Sequence, residues 1–175
     1  KNTTVLMGYA RADDEVAPLF FDAPKDKTVH DAIIGVTQVI SPRTSFTANL
    51  SYGKQSGYLS DPYKIIEKET EILPGFVLGL TFPENRPSAK EKLIGFVSLN
   101  HAIEPLNAAL ETSYRLLDDN WGITSHTLEF AWFQRLGEHL VLRPAVRYYR
   151  QSAADFYFVD LNNSSIVPNP DATGN

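Results

Sequence analysis

The sequence predicts an all-β protein, an antiparallel, up-and-down transmembrane β-barrel of which about seven or eight strands are visible. Three observations lead to this prediction. Apolar and polar residues alternate along several segments, as they do in strands whose two faces meet different surroundings. No apolar run approaches the roughly 18 residues that a membrane-spanning helix needs. Short and long connections alternate along the chain, as they do between the two ends of transmembrane barrels.

The clearest strand is the segment 45–53, in which apolar residues occupy the even positions and small polar residues the odd ones. A turn at 41–44, with Pro42 at a favoured turn position, joins it to the segment 32–40. Seven strands are predicted from apolar residues at alternate positions, in this order: Val5, Met7, Tyr9; Ala32, Ile34, Val36, Ile40; Phe46, Ala48, Leu50, Tyr52; Leu93, Val97, Leu99; Ala108, Leu110, Tyr114, Leu116; His126, Leu128, Phe130, Trp132; Leu140, Leu142, Val146, Tyr148. Helical periodicity is confined to a short piece around 64–70.

The connections between these strands fall into two classes. Those at 41–44, 102–106 and 136–138 are tight, whereas those at about 12–29, 56–90 and 118–124 are long, and a further long one begins at 151. In an up-and-down sheet, this order places all tight turns at one end and all long loops at the other. We therefore expect one end rich in loops.

The two faces of the predicted strands differ in composition. In a barrel, the polar face would line the lumen, and we expect six residues there: Asn49, Glu111, Arg115, Glu129, Arg143 and Arg147. Opposite charges on neighbouring strands could pair and tune which solutes enter, or could simply neutralise a rigid interior. Both interpretations stay open.

Aromatic and acidic residues gather where the predicted strands end. An apolar body with a polar tip suits the membrane–water interface, and an Asp before a turn can accept hydrogen bonds from nearby backbone N–H groups. We expect nine residues at the interface or at the start of loops: Tyr52, Tyr58, Asp61, Tyr63, Trp121, Trp132, Tyr148, Asp155 and Tyr157.

Composition and motifs argue against several kinds of chemistry. The chain has no cysteine, which excludes disulfides, cysteine-ligated zinc and thiol catalysis. Its four histidines lack the spacing of a metal-binding helix, and there is no G-x-S-x-G motif. The net charge is −5 with no basic block, so nucleic acid is not an expected partner. We expect no enzyme activity, cofactor or metal.

Four segments resemble an uncharacterised family of proteins predicted to be outer-membrane β-barrels of Gram-negative bacteria: SGYLSDPYK at 56–64, PENRP at 83–87, DDNWGITSHTLE at 118–129 and LRPAVRYYRQSAADFY at 142–157. The resemblance extends from about residue 30 to 158. It implies a barrel, a location in the outer membrane and recognition by the barrel-assembly machinery, and no particular activity. Members are longer than this chain, so we expect residues 1–175 to form one barrel domain that is incomplete at both termini.

Two functions are expected for such a barrel. The first is a channel or transport protein with a polar, charged lumen, whose partners are the lipid bilayer and small solutes. The alternative is a structural or partner-binding barrel that acts through its long loops, linked to extracytosolic redox systems. A soluble β-sandwich is a third interpretation of the same alternation.

Overall fold

A computed structural model describes residues 2–17 and 21–157 of the chain. Ten strands follow one another in these residues, with one short 3₁₀ helix, Glu104–Leu106, between the sixth and the seventh. The strands are β1 Thr3–Val16, β2 Lys25–Ser41, β3 Thr44–Gly57, β4 Ile65–Leu73, β5 Phe76–Pro83, β6 Ala89–Ile103, β7 Ala108–Asp119, β8 Thr124–Leu136, β9 Leu140–Leu142 and β10 Ala145–Gln151. The all-β prediction is confirmed.

Eight of the strands form one antiparallel sheet in the order β1-β2-β3-β6-β7-β8-β10, with β9 also pairing β8. Neighbours in the sheet are therefore neighbours along the chain, apart from the β4–β5 hairpin, which forms a sheet of its own. The large sheet is open: within residues 2–17 and 21–157, β1 and β10 are edge strands. The up-and-down order was predicted correctly, whereas the predicted closure into a barrel is not present in these residues.

The described residues divide into two compact units. The first contains residues 2–10, 30–54 and 91–155, and the second contains residues 11–17, 21–29, 55–90 and 156–157. β1, β2, β3 and β6 contribute residues to both units. No helix of the described residues is long and apolar enough to cross a membrane.

The prediction of a helical piece at 64–70 is wrong, because this segment belongs to β4. β4 pairs with β5 in antiparallel register from Ile65–Pro83 to Leu73–Phe76. Gly75, with a φ of 80°, makes the turn, and its N–H donates to the Glu71 carboxylate at 2.7 Å. Seven residues rich in Glu and Lys are too few for an independently stable helix, so the backbone pairing with β5 decides the conformation.

Two of the long connections are shorter than predicted. The strands β1 and β2 extend through polar residues, which leaves only 17–24 between them, and the β7–β8 connection is the tight turn 120–123. In this turn, the Asp119 carboxylate accepts the N–H groups of Trp121 and Ile123 at 2.9 and 3.0 Å. The predicted strict alternation of long and short connections is therefore wrong. The polar residues 118–124 suggested a long loop, but the Asp119 carboxylate accepts the backbone N–H groups of a tight turn there.

The last predicted strand is interrupted at Arg143 and Pro144, between β9 and β10. Proline has no N–H to give to a sheet, but its carbonyl still accepts the N–H of Trp132 at 3.0 Å. The register with β8 continues unchanged on both sides, from Gln134–Leu142 to Ala131–Ala145. With this division and the β4–β5 hairpin, the seven predicted strands become ten.

Candidate functional site

The register of β6, β7, β8 and β10 determines which side chains share a face in the first unit. Glu111 pairs with Ala131, Ser113 with Glu129, and Arg115 with Thr127. Glu129 also pairs with Arg147. Paired residues of an antiparallel sheet lie on the same side, so Glu111, Arg115, Glu129 and Arg147 occupy one face, which we call the polar face.

Asn49 lies on the same polar face, two strands away. A Cβ placed on Gly53 would meet the side chain of Lys92, and Lys92 pairs with Asp119 at the end of β7. Gly53, Asn49 and the polar-face residues of β7 are therefore on one side. The Asn49 amide in turn fills the space beside Gly35, where a side chain would otherwise stand.

Two ion pairs cross the polar face. Nε of Arg147 lies 3.2 Å from the Glu129 carboxylate, and the Arg143 guanidinium lies 3.7 Å from that of Glu111. Arg143 also rests over the Phe133 ring, 5.0 Å from its centroid. Because all four charged side chains are about half exposed, each pair contributes only about 0.2–1 kcal/mol. A concavity of about 210 Å³ lies among these four residues and Ser113.

Arg115 differs from the other two predicted arginines of the polar face. It is exposed, and it makes no ion pair within the described residues. Its register partners are Phe96 on β6 and Thr127 on β8, neither of which is charged. Thr127 is 8% exposed. Within the described residues, Arg115 is therefore a cation without an ion pair, next to charges of the same face that are paired.

The opposite face carries the apolar residues and is the more exposed of the two. Along β3, Leu50 and Tyr52 on this face are 49% and 43% exposed, whereas Asn49 on the polar face is half-buried and Gly53 is buried. Across the described residues, the only buried apolar side chains are those of Ala108, Trp121 and Ala131. We call this exposed apolar surface of the first unit the apolar face.

Two tyrosine–histidine pairs lie on the apolar face. The Tyr9 hydroxyl is 2.7 Å from Nδ1 of His30, and the Tyr114 hydroxyl is 2.7 Å from Nδ1 of His126. In both pairs, the ring centroids are 6.1 Å apart. Each pair gives its polar atoms a partner on a surface that is otherwise apolar. Sequence alternation put Tyr9, Tyr114 and His126 at the apolar alternate positions, whereas His30 was in no predicted strand, and only the folded sheet brings each pair together.

The predicted interface aromatics have different surroundings. Tyr52 and Tyr148 are exposed on the apolar face, and Trp132 is half-buried there, with its indole N–H donating to Gln134 at 3.2 Å. Trp121 is buried, 7% exposed, in the turn between β7 and β8. In the second unit, Tyr63 and Tyr157 are exposed. Tyr58 is half-buried, and its ring meets that of Phe21 edge-on at 5.2 Å.

Asp61 and Glu84 belong to a cluster in the second unit. As predicted, the Asp61 carboxylate accepts a hydrogen bond from a nearby backbone N–H, that of Tyr63, at 3.0 Å. The buried Glu84 carboxylate accepts the Asp61 N–H at 3.1 Å and the Lys64 ammonium at 2.7 Å. It also pairs with the Arg86 guanidinium at 2.9 Å. We call Asp61, Lys64, Glu84 and Arg86 the loop cluster.

The electrostatics of the loop cluster hold Glu84 ionised. Burial by itself would raise the pKa of the Glu84 carboxyl, but the hydrogen bonds from Lys64, the Asp61 amide and Arg86 outweigh it and lower that pKa. For Tyr58, burial raises the pKa, and the nearby charges of Asp61 and Glu84 add to the effect. Glu84 was missed by the sequence analysis, because no alternation marks it. The complementary charges of Lys64, Glu84 and Arg86 were the one available signal.

Asp155 reaches the β7–β8 turn within the first unit. Its N–H donates to the carbonyl of Trp121 at 2.8 Å, and its carboxylate lies against Gly122, whose φ is 78°. The Ser152 hydroxyl adds two hydrogen bonds: it donates to the Gly122 carbonyl at 2.9 Å and accepts from the Thr124 N–H at 2.8 Å. The predicted role of Asp155 in a turn therefore involves a turn about thirty residues earlier in the chain.

A family model described as a protein of unknown function, DUF3570, matches residues 4–171. The chain belongs to this family. The resemblance to an uncharacterised family noted in the sequence is thereby confirmed at the level of family, and DUF3570 carries no assigned activity. A search of curated proteins and a search of solved structures each found no match to the chain.

The structure places no metal-binding group among its described residues. No set of three or more His, Asp or Glu side chains there is arranged to hold a metal ion. For this DUF3570 member, the candidate functional site is the polar face, where paired charges, hydroxyl groups and the unpaired Arg115 lie together in the described residues.

Proposed function

We propose that this protein is an outer-membrane β-barrel of a Gram-negative bacterium that passes small solutes along its polar face. One observation carries the proposal: along β3, the apolar Leu50 and Tyr52 are exposed on one face, whereas the polar Asn49 is half-buried on the other. A soluble sheet has the opposite arrangement, because water favours polar side chains outside and apolar ones inside. An apolar exterior with a polar interior is the arrangement of a transmembrane barrel.

The length of the apolar face supports the same proposal. On β3, the apolar residues from Phe46 to Tyr52 lie between the polar Thr44 and Lys54. The ten steps from Thr44 to Lys54 extend about 34 Å along a strand. At a strand tilt of about 40°, they cover about 25 Å along the bilayer normal, which is the height of the apolar band of outer-membrane barrels.

The energetics also favour lipid as the cover for the apolar face. Removing a Val, Leu or Phe side chain from water contributes about 1.5–3 kcal/mol, and the three apolar side chains buried within the described residues gain little of this. A bilayer would bury the whole face at once. It would also require the open edges of β1 and β10 to be paired, by each other or by further strands, because hydrocarbon offers no hydrogen bonds to a free edge.

The alternative is a barrel that binds a partner through its loops. It is favoured by the segment between β3 and β6, which is not an irregular loop but carries the β4–β5 hairpin and the loop cluster. An ordered extension of this kind presents a fixed surface. In this alternative, the polar face serves as a neutral interior and passes nothing.

Conductance of the intact protein in planar bilayers tests the proposal. We expect discrete current steps after reconstitution from detergent, and a protein with its loop cluster disrupted by Glu84→Gln should still conduct. Absence of current from correctly folded, membrane-inserted protein would overturn the channel and leave the partner-binding alternative. A monomer that stays in solution without detergent would overturn both barrel hypotheses and favour a soluble β-sandwich.

A further inference from the structure

Arg115 occupies a position at which an uncompensated charge has a large effect. On β7 it lies within the stretch 110–116, whose alternate residues form the apolar face. In the proposed function, on which this inference rests, that stretch crosses the bilayer. In a barrel of this kind the interior is polar, and the charged side chains that line it tune which solutes pass.

The other charges of the polar face at this depth cancel. Lys92 pairs with Asp31 at 3.5 Å, Arg143 with Glu111, and Arg147 with Glu129. Asp119 lies at the end of β7, in the turn to β8, and Arg135, which pairs with Val141, lies near the opposite end of β8. Among the polar-face residues that the structure describes, Arg115 is therefore the charge without an ion pair that lies away from the strand ends.

Hydroxyl groups surround Arg115 on the same face. Thr127 is its partner on β8, and Ser113, two residues earlier on β7, pairs with Ser98 on β6. A guanidinium provides several N–H donors in a plane, and hydroxyl groups can add O–H donors to the same anion. No carboxylate makes an ion pair with this guanidinium in the described part of the chain.

We propose that Arg115 makes the polar face selective for small anions, with monovalent carboxylates as the organic class that fits a guanidinium and hydroxyl donors. The paired charges line the path without adding net charge, whereas Arg115 attracts the anionic solute. The same face would then exclude cations of equal size, because their repulsion by Arg115 is not offset by a nearby acid.

Reversal potentials in a KCl gradient test this selectivity. We expect wild-type protein to prefer chloride, and acetate to carry current as well. Arg115→Gln should lower the anion-to-cation permeability ratio about thirtyfold, because one unit charge about 4 Å away in water favours an anion about fivefold and disfavours a cation about fivefold. Arg115→Lys, which keeps the charge, should retain the preference. The double variant Glu129→Gln, Arg147→Gln removes an equal number of opposite charges and should leave the ratio unchanged.

A thiol-reactivity measurement tests the same inference without current. The chain has no cysteine, so Ser113→Cys introduces a single thiol two residues from Arg115 on the polar face. We expect an anionic methanethiosulfonate to react about fivefold faster than a cationic one of similar size. Arg115→Gln should abolish this difference.

Failure of the proposed channel and failure of the proposed role of Arg115 give different results. No current from inserted protein overturns the channel, whatever the thiol rates are. A cation-selective current would overturn the role of Arg115 and leave the channel intact. The same holds if Arg115→Gln changes neither the anion selectivity of the current nor the thiol reaction rates.

Discussion

The Glu84 carboxylate accepts a hydrogen bond from the Lys64 ammonium at 2.7 Å, across twenty residues of chain. Between them run β4 and β5, so this contact closes the base of the hairpin. The Asp61 N–H and the Arg86 guanidinium bind the same carboxylate. One buried acid therefore holds together the two ends of the segment that leads from β3 to β6.

Glu84→Gln should loosen this closure. The amide keeps an acceptor for the Asp61 N–H but leaves Lys64 and Arg86 without their counter-charge. Losing charged partners at a buried site typically costs about 1–3 kcal/mol, so hydrogen exchange at the Asp61 amide should speed up roughly tenfold to a hundredfold. Glu67→Gln, the same change at an exposed position of β4, is the control. Equal exchange in the two variants would contradict the role of Glu84.

Acid should have the same effect on wild-type protein. Because the pKa of Glu84 in the fold lies below its ordinary value of 4.5, its ionisation stabilises the hairpin base fully above about pH 4.5. The stabilisation is lost as the pH falls through the lower, folded-state pKa. Amide exchange, corrected for its intrinsic pH dependence, should therefore reveal opening of this segment in acid. In Glu84→Gln, the corresponding transition should be absent.

Gly122→Ala should destabilise the turn between β7 and β8. An L-residue at a φ of 78° costs about 1–2 kcal/mol, and the added Cβ would also overlap the Asp155 carboxylate. Gly137→Ala is a matched control, because Gly137 has a φ of 65° with nothing within 4 Å of the added Cβ. In denaturant unfolding of the detergent-folded protein, Gly122→Ala should lose more stability than Gly137→Ala.

Asp155→Ala separates the two contributions to that loss. In the Gly122→Ala background, it removes the overlap and should recover part of the stability. No recovery would mean that backbone strain alone accounts for the loss at Gly122.

Tyr114→Phe should weaken the pairing of β7 with β8. It removes the hydroxyl that meets Nδ1 of His126 at 2.7 Å, a contact that we expect to contribute about 0.5–1.5 kcal/mol. Tyr148→Phe removes a hydroxyl from the same apolar face that makes no hydrogen bond in the described structure, and so serves as the control. Equal unfolding midpoints for the two variants would argue against a stabilising Tyr114–His126 bond.

Spin labels along β8 should report two different environments. Because the chain has no native cysteine, Leu128→Cys, Glu129→Cys and Phe130→Cys each carry one label. In liposomes, labels at 128 and 130 should collide more with oxygen, and a label at 129 more with a water-soluble nickel complex. A uniform pattern along the three positions, or one reversed at 129, would contradict the orientation in the bilayer that we propose.

The strand content of this protein could be predicted from the sequence because alternation is a local property. Alternation predicts a strand with one apolar and one polar face for residues 46–52 and 126–132, whichever strands lie beside them. β4 was not predicted, because its Glu and Lys residues favour a helix and only pairing with β5 makes them a strand. The turn 120–123 was taken for part of a long loop for a similar reason, since it depends on one carboxylate, that of Asp119.

For the candidate site too, local alternation predicted one part and the folded structure decided the rest. Alternation by itself placed Glu111, Arg115, Glu129 and Arg147 on one polar face, and family membership followed from the sequence alone. Only the register decided that Arg147 faces Glu129 while Arg115 faces Thr127, because pairing across strands depends on where each turn begins and ends. The contact of Glu84 with Lys64 and that of Asp155 with Gly122 join residues about twenty and thirty positions apart. No local pattern encodes such distances, and the folded backbone alone brings those atoms together.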